Sequence, residues 1–270
     1  MPMGEICHSG VRPAAVAGRF YPSKPGELKR VVCDYLAQAR SEDDAPVPKA
    51  LIVPHAGYLY SGQVAASAYA RLAPARSQLR RVLLLGPAHR VAVSGIAAST
   101  AGAFATPLGE VAVDRAGVDK ALTLEQVCLM DEAHAREHSL EVHLPFLQMS
   151  LETFSIVPLV VGSANYEEVL DLLDLLWGSE ETLIVVSSDL SHYYDYETAR
   201  RMDTETSLAL EALEPDRLGD ESACGRIAVG ALLLAAAKRG LECTTVDLRN
   251  SGDTAGSRGE VVGYGSYAFT

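Results

Sequence analysis

The sequence is poor in aromatic residues, in positive charge and in long apolar runs. Aromatic side chains make up 6% of its 270 residues, and 23 lysines and arginines stand against 35 aspartates and glutamates, a formal net charge of −12. A surface for nucleic acid or for an anionic membrane needs clustered lysine and arginine. No apolar stretch reaches the roughly 18 residues of a membrane-spanning helix. We therefore expect a protein that binds neither nucleic acid nor a membrane.

Cysteine is scarce and irregularly placed. The five cysteines form no CxxC pair and no zinc-finger spacing; they are Cys7, Cys33, Cys128, Cys224 and Cys243. An odd, scattered set is typical of reduced cytosolic thiols rather than of a disulfide framework. The N-terminal segment MPMGEICHSGVRPAA also lacks the basic region followed by an apolar region that marks a secretory signal. These features predict a cytoplasmic protein.

Short apolar runs alternate with helical patterns along most of the chain. Continuous runs rich in β-branched residues predict buried strands at 50–54, 81–86, 154–162 and 182–188. Amphipathic repeats predict helices at 25–39, 62–73, 166–177, 197–213 and 224–240. A strand pair is expected at 106–114 and a closing strand at 261–269. The alternation predicts one layered α/β domain over 1–270, with a central, mostly parallel or mixed sheet flanked by helices and a flexible N terminus at 1–11.

Three of the predicted strands lead directly into a histidine. His55 and His89 follow the first and second strands, and the strand at 182–188 runs into Asp189 and His192. In α/β sheets, ligands bind at the carboxyl ends of the strands, because the loops there gather groups from distant parts of the chain. Three of the seven histidines at equivalent positions therefore predict a shared site.

Two further motifs carry reactive side chains. Cys224 lies at the start of a predicted helix, where free backbone N–H groups and the helix dipole would favour a thiolate. His134, Glu137 and His138 read H-x-x-E-H, the inverted zinc-protease pattern. On a helix the two histidines would share a face and could chelate zinc, with the glutamate as base. Pro145 ends such a helix soon afterwards, so a loop that carries His138 is the favoured interpretation.

Taken in order, these segments resemble the MEMO family, known in prokaryotes as AmmeMemoRadiSam system protein B. The similarity covers nearly the whole chain, through RPAAVAGRFYP, VPHAGYLYSG, LLLGPAHR, ATPLGEVAVD, EHSLEVHLPFLQ, IVPLVVG, VVSSDLSHY, ACGR, NSGDTAGSR and VVGYGSYAF. The resemblance implies the fold of LigB-like class III extradiol dioxygenases, non-haem enzymes in which two histidines and a carboxylate hold Fe(II).

The resemblance also implies roles for single residues. His55 and His89 would be the metal-binding histidines, and Cys224 stands where the dioxygenases have their carboxylate. His192 falls at the position of their acid–base histidine, beside Asp189, and His138 is expected to face the pocket. A thiolate is softer than a carboxylate, so iron is the first expectation for the metal, with copper or zinc as alternatives. Ring-cleaving activity is not implied.

Three functions remain open from the sequence. The first is a metal-dependent redox enzyme in which His192, oriented by Asp189, moves protons. The second is a metal-free thiol enzyme with Cys224 as nucleophile and His192 as base. The third is a non-catalytic module that binds a small molecule, a peptide or a partner in the same cleft. Family context suggests a radical-SAM protein and an AMMECR1-like protein as partners. Asp189 also has a structural alternative, the capping of a helix that begins near Tyr193.

Overall fold

The computed structural model describes residues 10–39 and 46–270, so Cys7 and residues 1–9 of the predicted flexible N terminus lie outside it. The strands are β1 (Val11–Arg12), β2 (Ala50–Val53), β3 (Arg81–Pro87), β4 (Ile96–Ala98), β5 (Ala103–Thr106), β6 (Gly109–Val113), β7 (Val127–Leu129), β8 (Ser155–Val161), β9 (Thr182–Ser187), β10 (His192–Tyr194), β11 (Cys243–Asn250) and β12 (Val261–Phe269). The helices are α1 (Pro25–Gln38), α2 (Tyr58–Ala70), α3 (Arg115–Ala121), α4 (Asp131–Ala135), α5 (Leu144–Ser150), α6 (Tyr166–Leu176), α7 (Tyr196–Glu211), α8 (Arg226–Arg239) and α9 (Ser251–Thr254). Short 3₁₀ turns lie at Ala73–Ala75, Glu141–His143 and Pro215–Arg217.

The described strands form a single mixed sheet. Its main path runs in the order β1-β5-β6-β8-β3-β9-β2-β12-β10, with β11 beside β12 and the β4-β7 pair beside β8. The central strands β8, β3, β9 and β2 are parallel to one another, whereas β12 is antiparallel to β2 and to β11. The central strands are buried along almost their whole length, as their continuous apolar runs predict. The predicted α/β class, with a mixed sheet between helices, is confirmed.

The long helices follow from local sequence signals. Pro25 occupies the first turn of α1, and Leu28 and Val32 on one face of that helix are fully buried. Helix α6 starts with a capping box between Asn165 and Glu168. No helix in the described ranges has both the length and the apolarity to cross a membrane.

Several elements are not predicted from the sequence. Strands β4, β7 and β10 have three residues each, too few for a pattern to show. Strand β11 is half-exposed over most of its length and carries few apolar residues. It owes its conformation to a long antiparallel pairing with β12, which a local pattern cannot reveal.

The strand order positions the candidate site. Strand β9 lies between β2 and β3, and Val53 at the end of β2 pairs with Ser187 at the end of β9. The three strands are parallel, so the loops after β2, β3 and β9 leave the sheet at the same edge. These are the loops that carry His55, His89 and Asp189.

Candidate functional site

Three histidines meet at this edge of the sheet. The ring centroids of His55 and His89 are 5.1 Å apart, those of His55 and His138 are 5.4 Å apart, and those of His89 and His138 are 4.7 Å apart. One ring nitrogen from each lies within 4.8 Å of the corresponding nitrogens of the others. Such a cluster is compatible with a bound metal ion. His55 is almost fully buried, while His138 is half-buried and His89 lies towards solvent.

His55 is held on three sides. Its backbone N–H donates to Asp189 Oδ1 at 2.8 Å, and its Nδ1 is 2.6 Å from Ser187 Oγ. Its Nε2 faces Cys224 Sγ at 3.4 Å and lies 3.9 Å from Asp189 Oδ2. Burial lowers the pKa of His55 well below its usual value, and the neighbouring histidines add to the effect. The imidazole is therefore neutral, the form that binds metal.

Glu137 holds His89. Its carboxylate accepts the His89 N–H at 2.7 Å and Nδ1–H at 3.0 Å, and also the backbone N–H groups of His138 at 2.8 Å and Ser139 at 3.0 Å. Burial acts to raise the pKa of Glu137, but the adjacent His138 ring, the hydrogen bonds from His89 and these backbone N–H groups hold it well below its usual range. The carboxylate can only accept, so His89 carries its proton on Nδ1 and Nε2 is free as a ligand.

His138 completes the cluster from the loop after α4. Its Nδ1 lies 3.1 Å from Glu137 Oε1, outside good hydrogen-bond geometry. Its ring packs against Phe20 with centroids 4.7 Å apart. His138 thus lies beside His55 and His89, and its role at a substrate pocket stays a prediction.

The zinc-protease interpretation of H-x-x-E-H is wrong. Helix α4 ends at Ala135, so His134 and His138 do not share a helix face. His134 is buried, donates from Nε2 to the Ala97 carbonyl at 3.0 Å and packs edge-on against Phe104. His134 is a structural residue.

Cys224 approaches the cluster from the segment before α8. Its Sγ accepts the Asp189 N–H at 3.3 Å as well as contacting His55. The next residue must be small, because a Cβ on Gly225 would lie 2.6 Å from the Ser187 carbonyl oxygen. Burial raises the pKa of the Cys224 thiol to about 12, and the Asp189 charge adds to the effect. The expected thiolate is therefore wrong for the metal-free protein, because α8 begins only at Arg226 and burial outweighs its dipole.

Asp189 contacts His55 and does not cap a helix. Its carboxylate accepts the His55 N–H, and α7 is capped instead by Asp195, which accepts the Thr198 N–H at 3.1 Å. The capping alternative is therefore wrong. Burial raises the pKa of Asp189. The hydrogen bond from the His55 N–H, and positive charge on His192, His138 and His89, act in the opposite direction and lower it.

His192 opens β10 at the rim of this region. It is half-buried, and its ring centroid lies 5.8 Å from that of Tyr193, an exposed residue with a positive φ of 63°. A positive charge on His192 would lower the pKa of both His55 and Asp189. Proton transfer by His192 stays a prediction.

A buried glutamate explains the N-terminal motif RPAAVAGRFYP. Glu141 accepts the backbone N–H groups of Ala15 and Val16 at 2.8 and 2.9 Å and the Tyr21 hydroxyl at 2.6 Å, and it pairs with Arg12. The motif thereby clamps the loop that carries His138. Glu141 lies between Leu140 and Val142 in EHSLEVH, a signal that could have indicated a buried carboxylate there, whereas Glu137 lies between Arg136 and His138 and carries no such signal.

The fold and this cluster define a mixed α/β protein with a candidate metal centre at the carboxyl edge of its parallel strands. A family profile described as Memo-like protein matches residues 12–268. The chain is 37% identical over 265 residues to a MEMO1 family protein of Aquifex aeolicus (strain VF5), covering 94% of this chain and 97% of that one. It is 32% identical over 265 residues to a MEMO1 family protein of Thermoplasma volcanium, covering 95% and 97%. The chain belongs to the Memo-like protein family, as its motifs predict.

A solved structure shares the fold. The crystal structure of uncharacterized protein JW3007 from Escherichia coli K12 superposes with a TM-score of 0.54, covering 82% of this chain and 99% of that one at 13% identity. At this identity the likeness concerns the fold alone.

Proposed function

We propose that this protein is a metal-dependent redox enzyme whose metal is held by His55, His89 and Cys224. The observation that carries the proposal is the orientation of the two histidines. Each has its Nδ1 hydrogen-bonded to a buried partner, Ser187 or Glu137, so that each keeps Nε2 as a ligand. Hydrogen-bonded histidines of this kind are typical of metal sites, because the second nitrogen fixes the ring and its tautomer.

The donor set fits a redox metal. Two neutral imidazoles and one thiolate supply a single negative charge, as two histidines and a carboxylate do in non-haem iron sites. The sulfur is softer than a carboxylate oxygen, which favours iron or copper and also admits zinc. His138 offers a further nitrogen within 4.8 Å of those of His55 and His89, so it is a fourth candidate ligand.

The metal would supply Lewis acidity and, for iron or copper, electron transfer to a bound substrate. The remaining roles belong to the chain. Asp189 orients His55 through its backbone N–H, and Glu137 orients His89. His192, at the rim beside Asp189, would take or give a proton at the substrate. We propose iron as the native metal and a cytoplasmic location, where the thiol stays reduced.

A second candidate function is partner binding at the same edge. Leu59, Tyr60 and Tyr193 expose 67%, 39% and 73% of their surface near the loops that carry the site. Exposed aromatic side chains are favoured in protein interfaces. Partners suggested by family context are a radical-SAM protein and an AMMECR1-like protein. The metal-free thiol enzyme is less well supported, because a thiol with a pKa near 12 is a weak nucleophile at neutral pH.

Metal analysis of protein purified without oxygen tests the proposal. The wild type should retain about one metal ion per chain, whereas His55→Ala and His89→Ala should lose it, because each variant removes one of the three proposed ligands. His134→Gln is the matched control, since His134 is equally buried but lies outside the cluster. Unchanged metal content in both cluster variants would eliminate the proposal. A thiol enzyme would instead keep most of the reactivity of Cys224 towards an alkylating probe in those variants.

A further inference from the structure

We infer that Ser187 is a positioning residue that fixes the tautomer of His55, and with it the direction in which His55 offers a lone pair. Ser187 is the last residue of β9 and is fully buried. That the lone pair serves a metal rests on the proposed function, whereas the assignment of the tautomer does not.

The hydrogen bonds around the Ser187 hydroxyl leave one consistent arrangement. Its Oγ lies 2.6 Å from the Ser139 carbonyl oxygen, 2.6 Å from His55 Nδ1 and 2.8 Å from His143 Nε2. A hydroxyl has one proton to donate and two lone pairs to accept with. The carbonyl can only accept, so it receives the hydroxyl proton. Both imidazole nitrogens must then donate, which places the His55 proton on Nδ1.

The far end of the network agrees with this assignment. If His143 carries its proton on Nε2, its Nδ1 must accept, and the Tyr69 hydroxyl lies 2.9 Å away as the donor. Burial lowers the pKa of His143 to about 3 and raises the pKa of Tyr69 well above its usual value, so both are neutral. Each donor thus meets one acceptor from Tyr69 through His143 to Ser187. Tyr69 is fully buried, so the network ends in the core and acts as a rigid frame rather than as a route for protons.

The consequence falls on the opposite edge of the His55 ring. With the proton on Nδ1, Nε2 presents its lone pair to Cys224 Sγ, 3.4 Å away. In the metal-free protein the thiol has two acceptors within reach, that nitrogen and the Asp189 carbonyl oxygen 3.6 Å away. The two histidines are therefore set by different partners, a carboxylate for His89 and a hydroxyl for His55. The Ser187 hydroxyl is neutral, so it fixes the tautomer of the more deeply buried His55 ring without raising the pKa of that ring as a carboxylate would.

Nitrogen NMR of the metal-free protein, labelled with ¹⁵N-histidine and held at neutral pH, tests the inference. Long-range ¹H–¹⁵N correlation distinguishes the protonated nitrogen of each ring, and a His55→Gln variant assigns the signals. The wild type should show His55 protonated on Nδ1. Ser187→Ala removes the acceptor, and its His55 should shift towards the form protonated on Nε2, where Cys224 Sγ can accept. Its affinity for Zn²⁺, used as the probe metal, should fall by about 10- to 100-fold, as is usual when such a partner is lost.

Ser266→Ala is the matched control, because Ser266 is equally buried and its hydroxyl also donates to a carbonyl, that of Val64, but it does not contact a histidine. It should change stability without changing the tautomer or Zn²⁺ affinity, and Ser187→Thr should preserve both. His55 protonated on Nε2 in the wild type would overturn the inference, whether or not Ser187→Ala folds. Identical spectra and affinities for Ser187→Ala and Ser266→Ala would also overturn it. A tautomer shift in Ser187→Ala, with no Zn²⁺ bound even by the wild type, would refute the proposed metal site and support the role of Ser187.

Discussion

Replacing Glu137 by glutamine should loosen His89 while nearly preserving the shape of the site. The wild-type carboxylate accepts four hydrogen bonds, two from His89 and one each from the backbone of His138 and Ser139. The amide has one accepting oxygen and one donating NH₂ group. At least one of the four donors must therefore face another donor, and the negative charge is lost.

The expected loss of unfolding free energy in Glu137→Gln follows from these hydrogen bonds. Hydrogen bonds to a charged group contribute about 1.5–3 kcal/mol, against about 0.5–1.5 kcal/mol between neutral groups. Loss of the charge across four bonds thus costs about 4 kcal/mol of unfolding free energy, a large part of the 5–15 kcal/mol typical of a domain. Because the folded-state pKa of Glu137 is depressed, this stabilisation is present in full above the ordinary glutamate pKa of about 4.3 and is lost as the pH falls below it. Metal affinity should fall about 10- to 100-fold.

Urea denaturation at pH 7 and pH 4, together with Zn²⁺ titration of the folded variant, measures both effects. Glu141→Gln is the control, since Glu141 is also a buried carboxylate of the same loop but binds the N-terminal segment instead of His89. Both variants should lose stability, and only Glu137→Gln should lose metal affinity. Equal Zn²⁺ affinities in the two variants would refute the assigned role of Glu137.

Three further predictions concern Asp203, Cys224 and His192. Burial raises the pKa of Asp203 to about 6, so the folded protein holds this proton more tightly than the unfolded chain and loses stability as the pH rises from about 4 to 6. The Asp203→Asn side chain can still accept the Ser191 N–H. The variant should therefore be more stable than the wild type by up to about 3 kcal/mol at pH 7.5, but no more stable at pH 4. Thermal denaturation that shows no such pH dependence would contradict this prediction. Because the Cys224 thiol must lose its proton to bind metal, apparent Zn²⁺ affinity should rise about tenfold per pH unit between pH 6 and 8, and a wild type with the same slope as Cys224→Ala would exclude the thiolate as ligand. His192→Ala should keep the metal content of the wild type while abolishing turnover once a substrate is known, and loss of the metal would instead make His192 a ligand.

The sequence predicts the parts of this protein that local patterns determine. The buried strands that carry His55 and His89 follow from continuous apolar runs, and the parallel sheet brings their ends together. The residues that hold these histidines are not predictable in this way. Glu137 is 48 residues from His89, and Ser187 is 132 residues from His55, so each contact depends on how distant loops meet.

The protonation of Cys224 shows the same limit. Its place near a helix start favours a thiolate, but the charge is decided by burial among residues from other loops. Asp189 likewise has the sequence context of a helix cap, yet its carboxylate turns towards His55 because the chain after β2 lies against the loop after β9.

A crystal structure of the protein purified and crystallised without oxygen, with anomalous data across the iron and copper absorption edges, would show whether His55, His89 and Cys224 hold a metal. We predict one iron or copper ion bonded to His55 Nε2, His89 Nε2 and Cys224 Sγ, at about the 2.0–2.3 Å known for nitrogen and sulfur ligands of similar metals. A metal held only by the three histidines, with the Cys224 thiol turned away, would contradict it, as would a fully loaded protein with no metal at this cluster.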